Sequence, residues 1–142
     1  MPAKETIERA KEDKREGKSP STQAGEFVRE EIEHIREGKH GARSTKQAIA
    51  IGLSEARRAG VDLPPPENAS EKTRKQAERD TERAGKKPSP RRSRATLKAL
   101  KKEGHSAASK EALSRQARAA AKKRSAASRS GSAKKAAQTR KK

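Results

Sequence analysis

The chain has 142 residues, with 38 Lys/Arg against 19 Asp/Glu, a formal net charge of +19, no cysteine and one aromatic residue, Phe27. Without cysteine there is neither a disulfide framework nor a thiolate metal site, and no apolar run approaches the ~20 residues of a membrane span. Leu, Ile, Val and Phe number 13 of 142, below the roughly 20% share under which a highly charged chain is expected to be disordered.

The expected class is therefore mostly α with extensive disorder: one small helical hairpin, isolated solvated helices, a basic low-complexity tail and no β-sheet. Four segments follow from composition. Residues 1–20 form a charged N-terminal helix and linker, 21–63 a helical hairpin, 64–92 a Pro-containing charged linker, and 93–142 a basic Ala/Ser/Lys/Arg tail. The first 14 residues hold no apolar h-region, so no secretory signal is expected and the cytoplasm is the expected compartment.

In chain order, Pro2 to Glu16 has helix-forming composition, with Glu5 and Arg9 spaced i,i+4. Its single large apolar residue, Ile7, predicts a solvated, fraying helix ended by Gly17 and the Ser19-Pro20 break. From Ser21 to Glu37, Ala24, Phe27, Val28, Ile32 and Ile35 make one stripe at helical spacing, and Gly38 suits the left-handed residue after a helix end. Glu30, Glu31 and Glu33 read as a solvated face. A polar turn follows, and Ser44 with Gln47 three residues on reads as a capping box. The second helix runs to Ala59, with Gly60 ending it and Val61 placed to fold back. Nine of the 13 large apolar residues lie between Phe27 and Leu63, so any core is expected there. A hairpin this small is marginal alone and calls for a second copy or a ligand; a homodimer through residues 21–63 is one expectation.

Pro64-Pro65-Pro66 is a stiff spacer. Glu67 to Gly85 is helix-compatible, with Asn68 and Glu71 as its cap, but has no large apolar residue and reads as a connector that touches no core. Ser93 is expected to cap a short helix through Glu103, carrying Leu97 and Leu100 and stopped by Gly104. A second tail helix spans Ser106 to Arg124. A repeat of period 19 aligns Ser106-Ala-Ala-Ser109-Lys110 with Ser125-Ala-Ala-Ser128-Arg129; chance in low-complexity sequence explains it as well as duplication does.

Charge placement carries the functional reading. Pro88 to Lys142 holds 18 Lys/Arg against Glu103 and Glu111, whereas the first 66 residues hold 13 basic and 12 acidic. A polycation without core residues needs an extended polyanion, and nucleic acid is the abundant one. The expected phosphate contacts are Arg91, Arg92, Arg94, Lys98, Lys101, Lys102, Arg115, Arg118, Lys122, Lys123, Arg124, Lys134, Lys135, Arg140, Lys141 and Lys142. In a helix, Arg115, Arg118 and Lys122 fall on one side at i, i+3 and i+7. Secondary contacts are expected from Arg43, Ser44, Thr45, Lys46 and Gln47, at the start of the hairpin's second helix, where a recognition helix presents its side chains. The six-residue turn and the acidic first helix argue against a helix-turn-helix, and favour a scaffold or dimerisation unit. Ser89-Pro90-Arg91-Arg92 resembles the Ser-Pro-basic-basic turns of linker-histone and sperm-histone tails, which implies A·T-rich minor grooves.

No catalytic residue, metal ligand or cofactor is assigned. His34, His40 and His105 are scattered and read as exposed, and Gly38-Lys-His-Gly lacks the rest of a phosphate-binding loop. With Phe27 alone, stacking on single-stranded bases cannot carry recognition. The expected function is non-enzymatic, largely sequence-independent DNA binding; the alternatives are RNA binding, or a protein-interaction hairpin with an accessory basic tail. Membrane-surface binding ranks lowest.

The run Gly25 to Gly60, above all Glu37-Gly-Lys and Ser44-Thr-Lys-Gln-Ala-Ile-Ala-Ile-Gly52, resembles an uncharacterised domain of small basic bacterial proteins often labelled DNA-binding or plasmid-stabilisation. Ser130 to Lys141 resembles bacterial linker-histone-like tails. The resemblance implies a bacterial, nucleoid-associated protein acting on DNA.

Overall fold

The computed structural model describes residues 2–67, 69–87, 89–124 and 126–140. Among them are seven α-helices, α1 (Lys4–Arg15), α2 (Pro20–Arg36), α3 (Thr45–Arg58), α4 (Glu71–Glu82), α5 (Pro90–Lys101), α6 (Lys110–Lys123) and α7 (Ala126–Arg140), with a 3-10 turn at Ser106–Ala108 and no strand. Contacts divide the chain into two compact units, residues 1–109 and 110–142, so the ordered module extends well beyond the expected hairpin.

Its centre is the pair α2 and α3. Ser19 caps α2 by accepting from the Thr22 amide at 3.3 Å, with Pro20 at the first helical position. The helix thus begins at the Ser-Pro break rather than after it. At its other end Gly38 takes φ +77°. Its amide reaches the Ile35 carbonyl at 3.1 Å and the Lys39 amide the His34 carbonyl at 3.0 Å, the paired bonds of a glycine-ended helix. The same pairing at Gly60 turns Val61 back into the core. Ser44 caps α3 as expected, its hydroxyl accepting from the Gln47 backbone amide at 3.1 Å, and the Gln47 side-chain Oε1 accepts from the Arg43 amide at 2.6 Å.

The helices cross at Gly52. A Cβ there would stand 2.6 Å from Val28 Cα, so only hydrogen on that face of α3 permits the approach. Phe27, Ala24, Ala56 and Val61 pack behind the crossing together with Ala10, flanked by Ile7, Leu53 and Leu63.

Alanine makes this core larger than a count of Leu, Ile, Val and Phe suggests. Among the described residues, eight of the 13 buried hydrophobic ones are alanines: Ala10, Ala24, Ala42, Ala48, Ala56, Ala77, Ala107 and Ala108. Through Ala10 and Ile7, α1 packs on α2 and joins the core, with Arg9 Nε 3.3 Å from Glu26 Oε2 across the interface. It is not an isolated solvated helix. Nor is α4 a connector clear of the core: it lies on α3, with Ala77 and Asp80 buried. Asp80 accepts from Arg58 Nε at 3.0 Å and from Gln76 Nε2 at 3.1 Å. The cap of α4 is Ser70, which accepts from the Thr73 amide; Asn68, the expected cap, lies outside the described residues.

The segment after α5 closes the unit on the α2–α3 turn. Gly41 donates to the Leu100 carbonyl at 2.9 Å and Ala42 to the Gly104 carbonyl at 3.0 Å. Thr45 Oγ1 donates to the Ala107 carbonyl at 2.6 Å, and Arg36 Nε to the Ala108 carbonyl at 2.9 Å. A Cβ on Gly41 would stand 2.0 Å from the Glu103 carbonyl oxygen. Gly41→Ala is therefore expected to undock residues 100–108 and lower stability by about 1–3 kcal/mol. Urea unfolding measures the loss, and faster hydrogen exchange at the residue 41 and 42 amides would locate it. Unchanged exchange there would contradict the docking.

The second unit is α6 and α7, and none of the described residues in either helix is buried. A helix was expected over the first part of this segment and none over the second; alanine content supports both α6 and α7 without a core. The expected single helix from Ser106 divides into the 3-10 turn and α6. Residues 126–128 lie inside α7 while their repeat partners 107–109 do not lie in an α-helix, so the two copies differ in structure; Ser125 lies outside the described residues. No described helix is long and apolar enough to cross a membrane.

Candidate functional site

The expected phosphate-binding residues fall on both units. In α5, Arg91, Arg92, Arg94, Lys98 and Lys101 are exposed, as is Lys102 just beyond it, and Leu100 alone is buried. The helix starts at Pro90, with Ser89 at the cap position, four residues earlier than expected. Arg91 and Arg92 therefore lie in a first helical turn, not in the open Ser-Pro turn of the histone-like resemblance. A shallow groove of ≈ 410 Å³ is lined by Arg94, Leu97, Lys98, Lys101 and Lys102.

In the second unit Arg115, Arg118, Lys122 and Lys123 on α6, Arg124 after it, and Lys134, Lys135 and Arg140 on α7 are all exposed. The helical spacing expected of Arg115, Arg118 and Lys122 is present. Arg124 engages its guanidinium locally, donating to Ser128 and to Ser132 Oγ. Lys141 and Lys142 lie outside the described residues.

The secondary contacts divide. Arg43 and Lys46 are exposed. Ser44 and Gln47 form the α3 cap, and Thr45 is buried with its hydroxyl bound to Ala107. Three of the five thus have structural roles: Ser44 and Gln47 in the local cap, and Thr45 in the contact with residues 106–108.

The ion pairs among the described residues gather in the first part of the chain. Arg9, Lys11, Arg15, Lys18, Arg29, Lys39, Arg58 and Lys75 each sit within 4 Å of a carboxylate. Among the described residues no base beyond Lys75 does. Lys4, Lys14, Arg36, Lys46, Arg57, Lys72, Arg74 and Arg79 of α1 to α4 lie outside these pairs, but carboxylates are interspersed among them, whereas α5 to α7 carry Glu111 alone.

A second arrangement is buried in the first unit. Glu30, Glu31 and His34 from the end of α2 meet His40 from the turn and Glu55 from α3. His40 is 6% exposed, Glu31 3% and Glu30 6%, so these residues are neither the exposed histidines nor the solvated acidic face expected from sequence. His40 Nε2 lies 3.2 Å from Glu31 Oε2, and His34 Nδ1 lies 3.6 Å from Glu31 Oε1. His34 Nε2 is 3.4 Å from Glu30 Oε1, which also accepts from the Ala3 amide at 2.8 Å. The imidazoles meet edge to face, with centroids 5.9 Å apart. Glu30 Oε2 and Glu55 Oε2 are buried with no hydrogen-bond partner. Burial first, then the charge of Glu31, pushes the Glu55 carboxyl up to about 8.

The sequence held a signal for this cluster. Glu31 and His34 are spaced i,i+3 on one helix face, and the glycine-ended turn at Gly38 folds the next residues back over that face. His105 fits the exposed reading.

Residues 3–67 match the model of a family of unknown function, DUF6496. The match takes in α1, α2 and α3 with the whole buried cluster, and stops before the uncompensated bases. No curated protein and no solved structure matches the chain.

Proposed function

We propose that the protein is a non-enzymatic, largely sequence-independent nucleic-acid-binding protein that favours duplex DNA. The helical unit of residues 1–109 presents α5 as one basic surface, and α6 and α7 supply the larger share of charge. On this reading it is a nucleoid-associated protein of bacterial type.

The observation that supports the reading is the contrast in charge pairing. Among the described residues every ion-paired base lies at or before Lys75, while the exposed bases of α5 to α7 have no carboxylate partner. Like charges kept together without compensation repel one another, and an external polyanion relieves that repulsion. Binding would proceed by release of counterions, without base reading, because no side chain of α6 or α7 is fixed by packing. Phe27, the one Phe, Tyr or Trp of the sequence, is fully buried, which leaves no such ring for stacking and disfavours single strands as the target.

Titrating the full chain against a duplex of arbitrary sequence over a salt series tests this. The log–log slope is expected at about −5 or steeper, given about 0.9 per neutralised phosphate, and to be the same for an unrelated duplex. A salt-flat slope would remove the proposal. Competition with structured RNA decides the polyanion: an RNA preference of tenfold or more would replace duplex DNA by RNA.

A further inference from the structure

We propose that Glu31, His34 and His40 form a binding site for one divalent first-row transition-metal ion, with the carboxylates of Glu30 and Glu55 at its border. The ion would act as a structural staple joining α2 to the α2–α3 turn.

One ligand atom from each of the three residues can be chosen so that all lie within 4.8 Å of one another. Two ligands of a tetrahedral ion at ~2.1 Å stand about 3.4 Å apart, and His40 Nε2 and Glu31 Oε2 already stand at 3.2 Å. Small side-chain movements bring His34 to the same centre, since Glu31 and His34 share one helix face.

The protonation pattern of His40 points the same way. Its Nδ1 is 2.9 Å from the Gly41 carbonyl oxygen, which can only accept, so Nδ1 carries the proton and donates. In the neutral ring Nε2 then presents a lone pair, and it faces a carboxylate oxygen that presents another. A cation between the two satisfies both. A histidine whose far nitrogen donates to a backbone carbonyl is also the usual support of a metal ligand, because that bond fixes tautomer and ring orientation.

Independently of the three ligands, Glu30 is buried and its Oε2 has no hydrogen-bond partner. Its other oxygen is held by the Ala3 amide and lies 3.4 Å from the His34 ring. Glu30 and Glu31, both buried, bring two carboxylates out of water beside the two imidazoles, a concentration of negative charge that is unfavourable unless compensated. A divalent cation offsets that charge where it is concentrated.

The donor set selects the ion class. Two imidazole nitrogens with carboxylate oxygens suit Zn²⁺ and its neighbours, whereas Mg²⁺ and Ca²⁺ favour sites built from oxygen alone. The staple has a physical role in so small a unit. The turn from Gly38 to Arg43 carries the bonds that dock residues 100–108, so fixing His40 to α2 fixes that docking surface as well.

The test uses the full chain, freed of metal with a chelator, folded by circular dichroism and titrated with Zn²⁺, with Mg²⁺ as the control ion. Calorimetry is expected to show one Zn²⁺ per chain and no Mg²⁺ binding, and saturating Zn²⁺ to raise the unfolding midpoint by about 5 °C or more. Co²⁺ in place of Zn²⁺ is expected to give visible absorption bands of a low-coordinate nitrogen–oxygen site. His40→Ala and His34→Gln are each expected to weaken Zn²⁺ binding at least tenfold and abolish the Co²⁺ bands, while Glu33→Gln, at an exposed residue paired with Arg29, leaves both unchanged. No saturable Zn²⁺ binding by the folded full chain would overturn the site. So would unaltered binding in whichever histidine variant retains wild-type helicity. If both variants lose helicity, an unshifted unfolding midpoint of the wild-type chain with Zn²⁺ would overturn it instead.

Discussion

A chain ending at Ser109 is expected to lose at least a thousandfold in affinity for duplex DNA at about 0.1 M salt, while keeping its fold. Residues 110–142 hold twelve Lys/Arg against Glu111 alone. Under the log-linear salt law, referred to 1 M salt, each neutralised phosphate contributes about 0.9 log units at 0.1 M. Four such contacts exceed a thousandfold. The fold should survive because residues 1–109 form a compact unit by themselves and no residue described in α6 or α7 is buried.

Binding isotherms at several salt concentrations, with helicity recorded on the same samples, measure both halves of this expectation. The remaining slope should reflect α5, whose Arg91, Arg92, Arg94, Lys98 and Lys101, with Lys102 beyond it, are untouched by the deletion. If the shortened chain binds as tightly and as salt-dependently as the full one, α6 and α7 are not the interface. In the full chain, exchanging Arg115, Arg118 and Lys122 for Gln is expected to flatten the slope by about 2 to 3. Sequence preference should not change in either variant, since phosphate contacts carry none.

Gly52→Ala is expected to destabilise the protein by about 2 kcal/mol or more, against the sign that helix propensity gives. In an exposed helix interior, Ala is better than Gly by about 1 kcal/mol. At Gly52 the new methyl would meet Val28 Cα at 2.6 Å, its amide nitrogen at 2.9 Å and its Cγ2 at 2.9 Å. Two of those atoms are backbone, so the whole of α2 must move away from α3. Overpacking of this kind costs about 1–3 kcal/mol, and here it separates the helices that carry Phe27, Ala24 and Ala56.

Gly25→Ala is the matched control. Gly25 lies in α2 and its Cβ would meet nothing within 4 Å, so this change is expected to stabilise by about 0.5–1 kcal/mol. Urea unfolding of the two variants beside the parent gives opposite signs if the crossing is as close as described. Stabilisation by both would mean that α2 and α3 do not touch at Gly52.

The two glycines show where sequence reading stopped. Both sit in helices, and nothing local distinguishes them. Only the partner helix makes one of them indispensable. Elsewhere local chemistry was enough. The amphipathic stripe from Ala24 to Ile35, the glycine stops at 38 and 60, the Ser44–Gln47 cap and the return of Val61 each depend on neighbours within a turn or two, and all were legible from spacing.

That α1 and α4 pack into the ordered unit was not legible, because their buried residues are Thr6, Ala10 and Asp13, and Ala77 and Asp80. A small side chain buries little area and gives no periodic signal. It lets backbones approach, and that advantage exists only once a partner is in place. The buried cluster was hidden for a related reason: Glu31, His34 and His40 are polar, and on an isolated hairpin they would be solvated. In the tertiary structure Glu31 and His40 are buried, and the Ala3 amide reaches the neighbouring Glu30 from outside the hairpin.

The sequence by itself determined the helical class, the limits of α2 and α3 to within a residue or so, and the segregation of charge, since each is a property of composition or of near neighbours. Tertiary structure alone decided three things. It made α1 and α4 part of one unit, turned Thr45 from a presumed contact into a buried hydrogen-bond donor, and buried Glu30, Glu31 and His40 beside the half-buried His34 and Glu55. Each rests on backbones brought close by glycine or alanine, and closeness between distant segments is not written in the local pattern of either.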